Sequence, residues 1–129
     1  MKKGIVSVGL AAAMAVVCGC SSVNLATQLH GQKLTASDEP IAHINGSCSG
    51  LYFLPIVPLF TGSTGHPGLP AFFSDDVTPK SVVDMVTAES KKQGATKTMD
   101  LESRTSSVWL FPTVFFWYKS VEVSGNAVK

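Results

Sequence analysis

The chain has 129 residues, of which 45% are hydrophobic and 15% are charged, and its formal net charge is +1. A chain of this length forms one domain with one modest core, and its nearly neutral charge does not favour nucleic acid as a partner. Its three cysteines are Cys18 and Cys20, two residues apart, and Cys48. The two close cysteines end an apolar run near the N-terminus.

The N-terminus has the three parts of a secretory signal peptide. Lys2 and Lys3 are charged, residues 4–17 are apolar, and small residues follow. The apolar stretch is shorter than the roughly 20 residues of a membrane-spanning helix. We predict that residues 1–19 are a signal peptide that is removed. An uncleaved helix or a plainly secreted protein is the alternative.

The junction resembles the lipobox of bacterial lipoproteins. With Cys20 as the acceptor, the residue before the cleaved bond is Gly19, which is small enough for the peptidase; with Cys18 it is the β-branched Val17, which fits poorly. The resemblance implies a diacylglycerol on the Cys20 sulfur and a further acyl chain, such as palmitate, on its amine. Two or more chains anchor a protein stably. Ser21 after the cysteine favours the outer membrane, with the protein facing the periplasm.

The lipidated cysteine is followed by a segment with much Ser, Thr, Gln and Asn and no sustained apolar period. We predict that residues 20–40 are the lipidated cysteine and a flexible tether. Residues 41–129 are predicted to form a single α+β periplasmic domain. Strands are expected at residues 41–46, 51–54, 96–103 and 108–124, with bends at the prolines.

One segment has the signals of a helix at both ends. Thr78 is a good N-cap, Pro79 suits the first helical position, and Gly94 supplies a left-handed stop. Val82 and Val86 recur at helical spacing, so the helix has one apolar face. We therefore predict a small, mostly antiparallel sheet of about four strands in ββαββ order, with one helix packed on it. The signal peptide and the flexible tether precede this domain.

The order of these segments resembles that of small uncharacterised bacterial lipoproteins. Among named groups, the chain resembles the TRL-like lipoprotein family in Cys20, in the helix before Gly94-Ala95, and in Val123-Ser124-Gly125 near its end. The apolar stretch LPIVPLF departs from that pattern. The resemblance implies no assigned activity.

The chain offers few groups for chemistry. His43, Cys48 and His66 are the soft ligands that the fold could bring together, but they lack the short spacings of a zinc motif. Asp75 and Asp76 lie just before the helix, where their negative charges stabilise the positive N-terminal end of the helix dipole. The chain has neither a Gly-x-Ser-x-Gly elbow nor a phosphate-binding glycine loop. We expect no enzyme activity, no metal and no other cofactor.

Cys48 is the single thiol left once Cys18 is removed and Cys20 is acylated. Free cysteine is among the residue types most often buried, so we interpret Cys48 as a packed side chain. An intermolecular disulfide and a ligand role stay open.

Two apolar segments exceed what a small sheet needs. The prolines in LPIVPLF and at Pro112 interrupt strand pairing where hydrophobicity is highest. Aromatic residues at 109–118 can form the core, or part of them can form a surface for another envelope protein, for lipid or for a second copy. Our candidates for that surface are Ile56, Leu59, Phe60 and Phe111. The predicted function is that of a non-enzymatic binding or structural lipoprotein, and the alternative is a periplasmic small-ligand or metal carrier using His43, Cys48 and His66.

Overall fold

The computed structural model describes residues 20–26, 40–110, 112 and 114–129. A 3₁₀ turn at Leu54–Ile56 joins β2 to β3. The other elements, in chain order, are β1 (Ser21–Ala26), β2 (Pro40–Phe53), β3 (Val57–Gly62), β4 (Pro70–Phe72), α1 (Pro79–Lys92), β5 (Lys97–Trp109) and β6 (Phe116–Val128).

All the described strands belong to one antiparallel sheet in the order β4-β3-β2-β6-β5. The long strand β2 is central. β6 pairs with one of its edges along its whole length, and the other edge is shared by β1, opposite residues 43–48, and β3, opposite residues 50–53. The end of β3 therefore meets the start of β1.

The inner face of β2 carries small or apolar residues at every second position. Ala42, Ile44, Cys48 and Tyr52 are buried there, as alternation along a strand requires. Gly46 lies in the same row, where an added Cβ would be 2.6 Å from Cγ2 of a helix valine. A glycine is needed at this point because the helix touches the strand backbone.

The helix α1 forms as its sequence predicts. The Thr78 side chain accepts a hydrogen bond from the Ser81 N–H, and Pro79 begins the helix. Gly94 has a φ of 83°, in the left-handed region that ends helices. The apolar stripe is buried against β2, β5 and β6 and consists of Val82, Met85 and Val86.

The predicted fold class is wrong in its proportions. The described part of the chain has six strands and one helix, so the domain is more sheet-rich than an α+β unit of about four strands in ββαββ order. Pro55 and Pro58, which were predicted to interrupt strand pairing, do so only briefly: the chain turns at Leu54–Ile56 and pairs again as β3. Pro58 is tolerated because it lies where the pairing register shifts between Leu51 and Tyr52.

The flexible tether predicted before the domain also differs from the structure. Residues Ser21–Ala26 form β1, which is paired with β2 from the first residue onward. Alternation again explains this strand, because Ser21 is buried on the inner face while Ser22 bonds the outward Ser47 hydroxyl at 3.0 Å. The predicted signal peptide and residues 27–39 of the predicted tether lie outside the described residues.

Candidate functional site: Cys20 and the open face of the sheet

Cys20, the predicted lipidation site, lies immediately before β1 and is exposed. Ser49 of β2 holds its backbone: the Ser49 N–H donates to the Cys20 carbonyl at 2.8 Å, and the Ser49 hydroxyl donates to the same carbonyl at 3.2 Å. The Cys20 N–H donates to Ser49 Oγ at 3.3 Å. Cys20 is therefore fixed to the central strand β2, at the point where β1 and β3 meet.

Ser21 ties the same point to a neighbouring loop. Its hydroxyl donates to the Ser63 carbonyl, and its own carbonyl accepts from the Gly68 N–H at 2.9 Å. Gly62, at the end of β3, packs so closely that an added Cβ would collide with the Cys20 carbonyl carbon and the Ser21 nitrogen. The start of β1 is thus enclosed between β2 and residues 62–68.

The helix covers one face of the sheet, and no other described element covers the opposite face, which we call the open face. At the β1 end of that face the outward side chains are polar. A shallow groove of about 190 Å³ lies among Asn45, Glu102, Arg104, Glu122 and Ser124. We call this region the polar half; it comprises Ser22, Asn24, His43, Asn45, Ser47, Glu102, Arg104, Glu122, Ser124 and Asn126.

The other end of the open face is apolar, and we call it the aromatic half. Two rows of paired residues form it, one through Leu51 and one through Phe53, and the 110–116 turn adds to it. Its members are Leu51, Phe53, Val57, Phe60, Phe72, Val108, Phe115, Phe116 and Tyr118. None of them carries a formal charge.

The rings of the aromatic half contact one another but stay open to solvent. Phe60 and Phe72 meet edge to face at 5.2 Å between ring centres, and Phe53 lies 5.9 Å from both Phe115 and Phe116. Phe72 is nevertheless 60% exposed and Phe115 is 55% exposed. An exposed apolar patch of this kind is typical of a surface that binds protein or membrane.

The four residues predicted to form a contact surface lie at different places. Ile56 is 78% exposed on the turn after β2, and Phe60 is 37% exposed within the aromatic half. Leu59 is half-buried next to the register shift, and its carbonyl accepts from the Phe73 N–H at 3.3 Å. Phe111 lies outside the described residues.

Both apolar segments that the sequence marked as a possible surface contribute to the aromatic half, but Leu51, Phe53, Phe72 and Val108 lie outside those segments and were missed. A signal for it was present in β2, where the outward positions change from Ser47 and Ser49 to Leu51 and Phe53. The change from polar to apolar outward positions can be recognised only if residues 40–53 are assigned to one strand.

The three candidate ligands do not converge. His43 and Cys48 are five positions apart on one strand and therefore lie on opposite faces of the sheet. His43 Nδ1 is 2.8 Å from Asn126 Oδ1 on the open face, whereas His66 is on an exposed loop. Within residues 20–26, 40–110, 112 and 114–129, no group of three His, Cys, Asp or Glu side chains is placed to hold a metal ion.

Cys48 is fully buried, and its thiol donates to the Gly62 carbonyl at 3.2 Å. Burial, with a smaller contribution from the Asp76 carboxylate, raises the pKa of the thiol to about 11. A protonated, enclosed thiol is a poor nucleophile and a poor metal ligand. The position fits the packed side chain that the sequence predicts.

The acidic pair before the helix has a structural role that the sequence did not indicate. Tyr52 is buried, and its hydroxyl donates to Asp75 Oδ1, while the Asp76 carboxylate accepts from the Ser74 hydroxyl. Burial, and then the hydrogen bond to Asp75, raise the pKa of Tyr52. Lys119 Nζ lies 4.3 Å from the centre of the Tyr52 ring. These contacts fasten residues 74–76 to β2.

Comparison with protein-family models, with curated proteins and with solved structures found no match to this chain. Among the residues that the structure describes, no helix is both long and apolar enough to span a membrane. The inference about function therefore depends on Cys20 and on the open face.

Proposed function

We propose that this protein is a lipoprotein of the bacterial cell envelope, anchored through acyl chains on Cys20 and working by binding or structural support rather than by catalysis. It faces the periplasm, and the residue after the cysteine favours the outer membrane. The resemblance to small bacterial lipoproteins, TRL-like ones among them, belongs to the same proposal.

One observation supports this function best: the face of the sheet that carries Cys20 is uncovered by any described element, and half of it is apolar. Cys20 is exposed, so its sulfur is accessible to an acyl transferase. The outer surface near it offers area for binding, and no group of three His, Cys, Asp or Glu side chains among the described residues is placed to hold a metal ion. Binding is the role that such a surface performs.

Metabolic labelling with a palmitate analogue tests the anchor, in a Gram-negative host that expresses the full chain. Cys20→Ala should abolish labelling and leave an unprocessed precursor, because the thioether cannot form. Cys18→Ala is the matched control and should leave both labelling and processing unchanged. Loss of labelling in Cys18→Ala alone would refute the choice of Cys20.

A further inference from the structure

We propose that the aromatic half of the open face lies on the lipid bilayer that holds the acyl chains of Cys20. The partner of this surface is a lipid surface, and the domain then has one fixed orientation on its membrane. This inference rests on the proposed lipid anchor.

Cys20 lies on the open face of the sheet, at the border of the aromatic half. Ser21 is buried on the inner face, and side chains alternate along a strand, so Cys20 belongs to the open face. Its hydrogen-bonding partner Ser49 lies on that face at the border between the two halves. The next outward residue of β2 is Leu51, the first of the aromatic half.

No spacer separates Cys20 from the folded sheet. A flexible tether of 20 residues could extend to roughly 60 Å, which would leave the domain free to turn. Here the Cys20 backbone is bonded to Ser49 and is packed against Gly62. The bilayer must therefore lie within the length of one lipid-bearing side chain of the sheet.

The distance between Cys20 and the aromatic half limits what can cover this surface. Two residues along a strand span about 7 Å, so the Leu51 row lies about 7 Å from the Ser49 row and the Phe53 row lies about 14 Å away. A protein partner on the aromatic half would have to fit between this surface and a bilayer attached at its border. Lipid needs no such space.

The side-chain composition of the aromatic half also favours lipid as its partner. The aromatic half consists of Phe, Tyr, Leu and Val side chains. Phe and Leu are typical of the apolar face that interfacial segments bury in a bilayer, and Tyr is enriched at the membrane–water interface. Charged side chains of the open face such as Glu102, Arg104 and Glu122 belong to the polar half, beyond the Ser49 row. Apolar surface is thus nearest the membrane side of the anchor, and charge is set back from it.

The experiment places an environment-sensitive fluorophore on the acylated full-length protein in phosphatidylethanolamine–phosphatidylglycerol vesicles. Cys48→Ser removes the remaining thiol, and the probe is attached at Phe72→Cys or, separately, at Phe115→Cys. Ala88→Cys on the exposed helix surface and Glu102→Cys on the polar half are the matched controls. Two probe sites keep the test valid if one substitution disturbs the fold.

Nitroxide-labelled lipids should quench both aromatic-half probes and remove most of their fluorescence. Without quencher, the emission of these two probes should be blue-shifted on the vesicles. The control probes should keep their fluorescence and respond to aqueous iodide instead. Equal quenching at all four sites, or none at any, would overturn the inference. Aromatic-half probes protected from both quenchers would overturn it too, since a second copy of the chain would then cover this surface.

Failure of the anchor is a separate result. If the purified protein carries no acyl chain, the proposed function fails before the vesicle experiment begins. If it is acylated but the Phe72 and Phe115 probes stay in water, the anchor stands and the membrane-facing surface is wrong.

Discussion

The helix touches the sheet at Gly46, and this contact allows a quantitative test of the fold. An added Cβ at Gly46 would lie 2.6 Å from Val86 Cγ2, too close for either atom to stay in place. Overpacking of this kind costs about 1–3 kcal/mol. Val86→Ala removes two buried methyl groups at about 0.8 kcal/mol each, and with the cavity it should cost about 2 kcal/mol.

The double variant Gly46→Ala/Val86→Ala should be less destabilised than the sum of its parts. Val86→Ala deletes the atom that collides with the new Cβ, so the methyl group enters space that the substitution created. We expect the double variant to lose about 2 kcal/mol rather than about 4, a coupling within the range known for residues in contact.

Urea unfolding followed by circular dichroism measures these free energies, and thermal midpoints should shift by about 4–8 °C per kcal/mol. Gly65→Ala is the matched control, because the nearest atom to its added Cβ is Ser63 Oγ at 4.0 Å. It should be nearly neutral. Strict additivity of the Gly46 and Val86 substitutions would show that the helix does not rest on the strand backbone as described.

Three further predictions concern buried groups. Cys48 should react with a maleimide only after denaturation, and its Ser variant should give the same non-reducing gel pattern as the wild type; a wild-type dimer band that the variant lacks would contradict this. Its pKa is raised from 9.0 to about 11, so above pH 9.0 the unfolded chain releases the proton that the folded chain keeps, and the Cys48 contribution to stability should decrease as the pH rises toward 11. Tyr52→Phe removes the hydrogen bond to Asp75 and should lower the free energy of unfolding by about 1 kcal/mol, as measured in urea; an unchanged midpoint would show that water replaces this bond without loss.

The helix could be predicted from sequence because its signals are local. The Thr78 cap, Pro79 and Gly94 each depend on backbone groups within one turn, and the apolar stripe has a period that few other structures share. The structure confirms the helix from Pro79 to Lys92 and its burial through Val82 and Val86.

β2 could not be predicted as one strand because its glycines and serines also favour turns. Residues 46–50, Gly-Ser-Cys-Ser-Gly, separate two apolar segments and suggest a break. Tertiary packing explains the glycines instead. The helix α1 approaches Gly46, and Thr61 and Val77 approach Gly50, so a side chain at either position would collide. Small residues here mark close packing, which the chain alone does not distinguish from a turn.

The candidate site divides in the same way. Cys20 was predicted because the lipobox is a linear motif, whereas the aromatic half depends on the register of β2 with β3 and β6, which brings residues 51, 60 and 118 into one row. Proline signals indicated correctly that pairing is disturbed near Pro58, but not that the chain would return to the sheet after a single turn.

The proposed contact of the aromatic half with a bilayer would also fix which side of the domain faces water. Because the helix lies on the face opposite Cys20, a bilayer against the aromatic half leaves α1 directed away from the membrane. A groove of about 390 Å³ lies there between residues 64–67 and the helix, with Asp84, Glu89 and Lys92 among its lining. Its charged rim contrasts with the uncharged aromatic half. If the aromatic half lies on a bilayer as proposed, a partner that approaches through water would meet the helix side first.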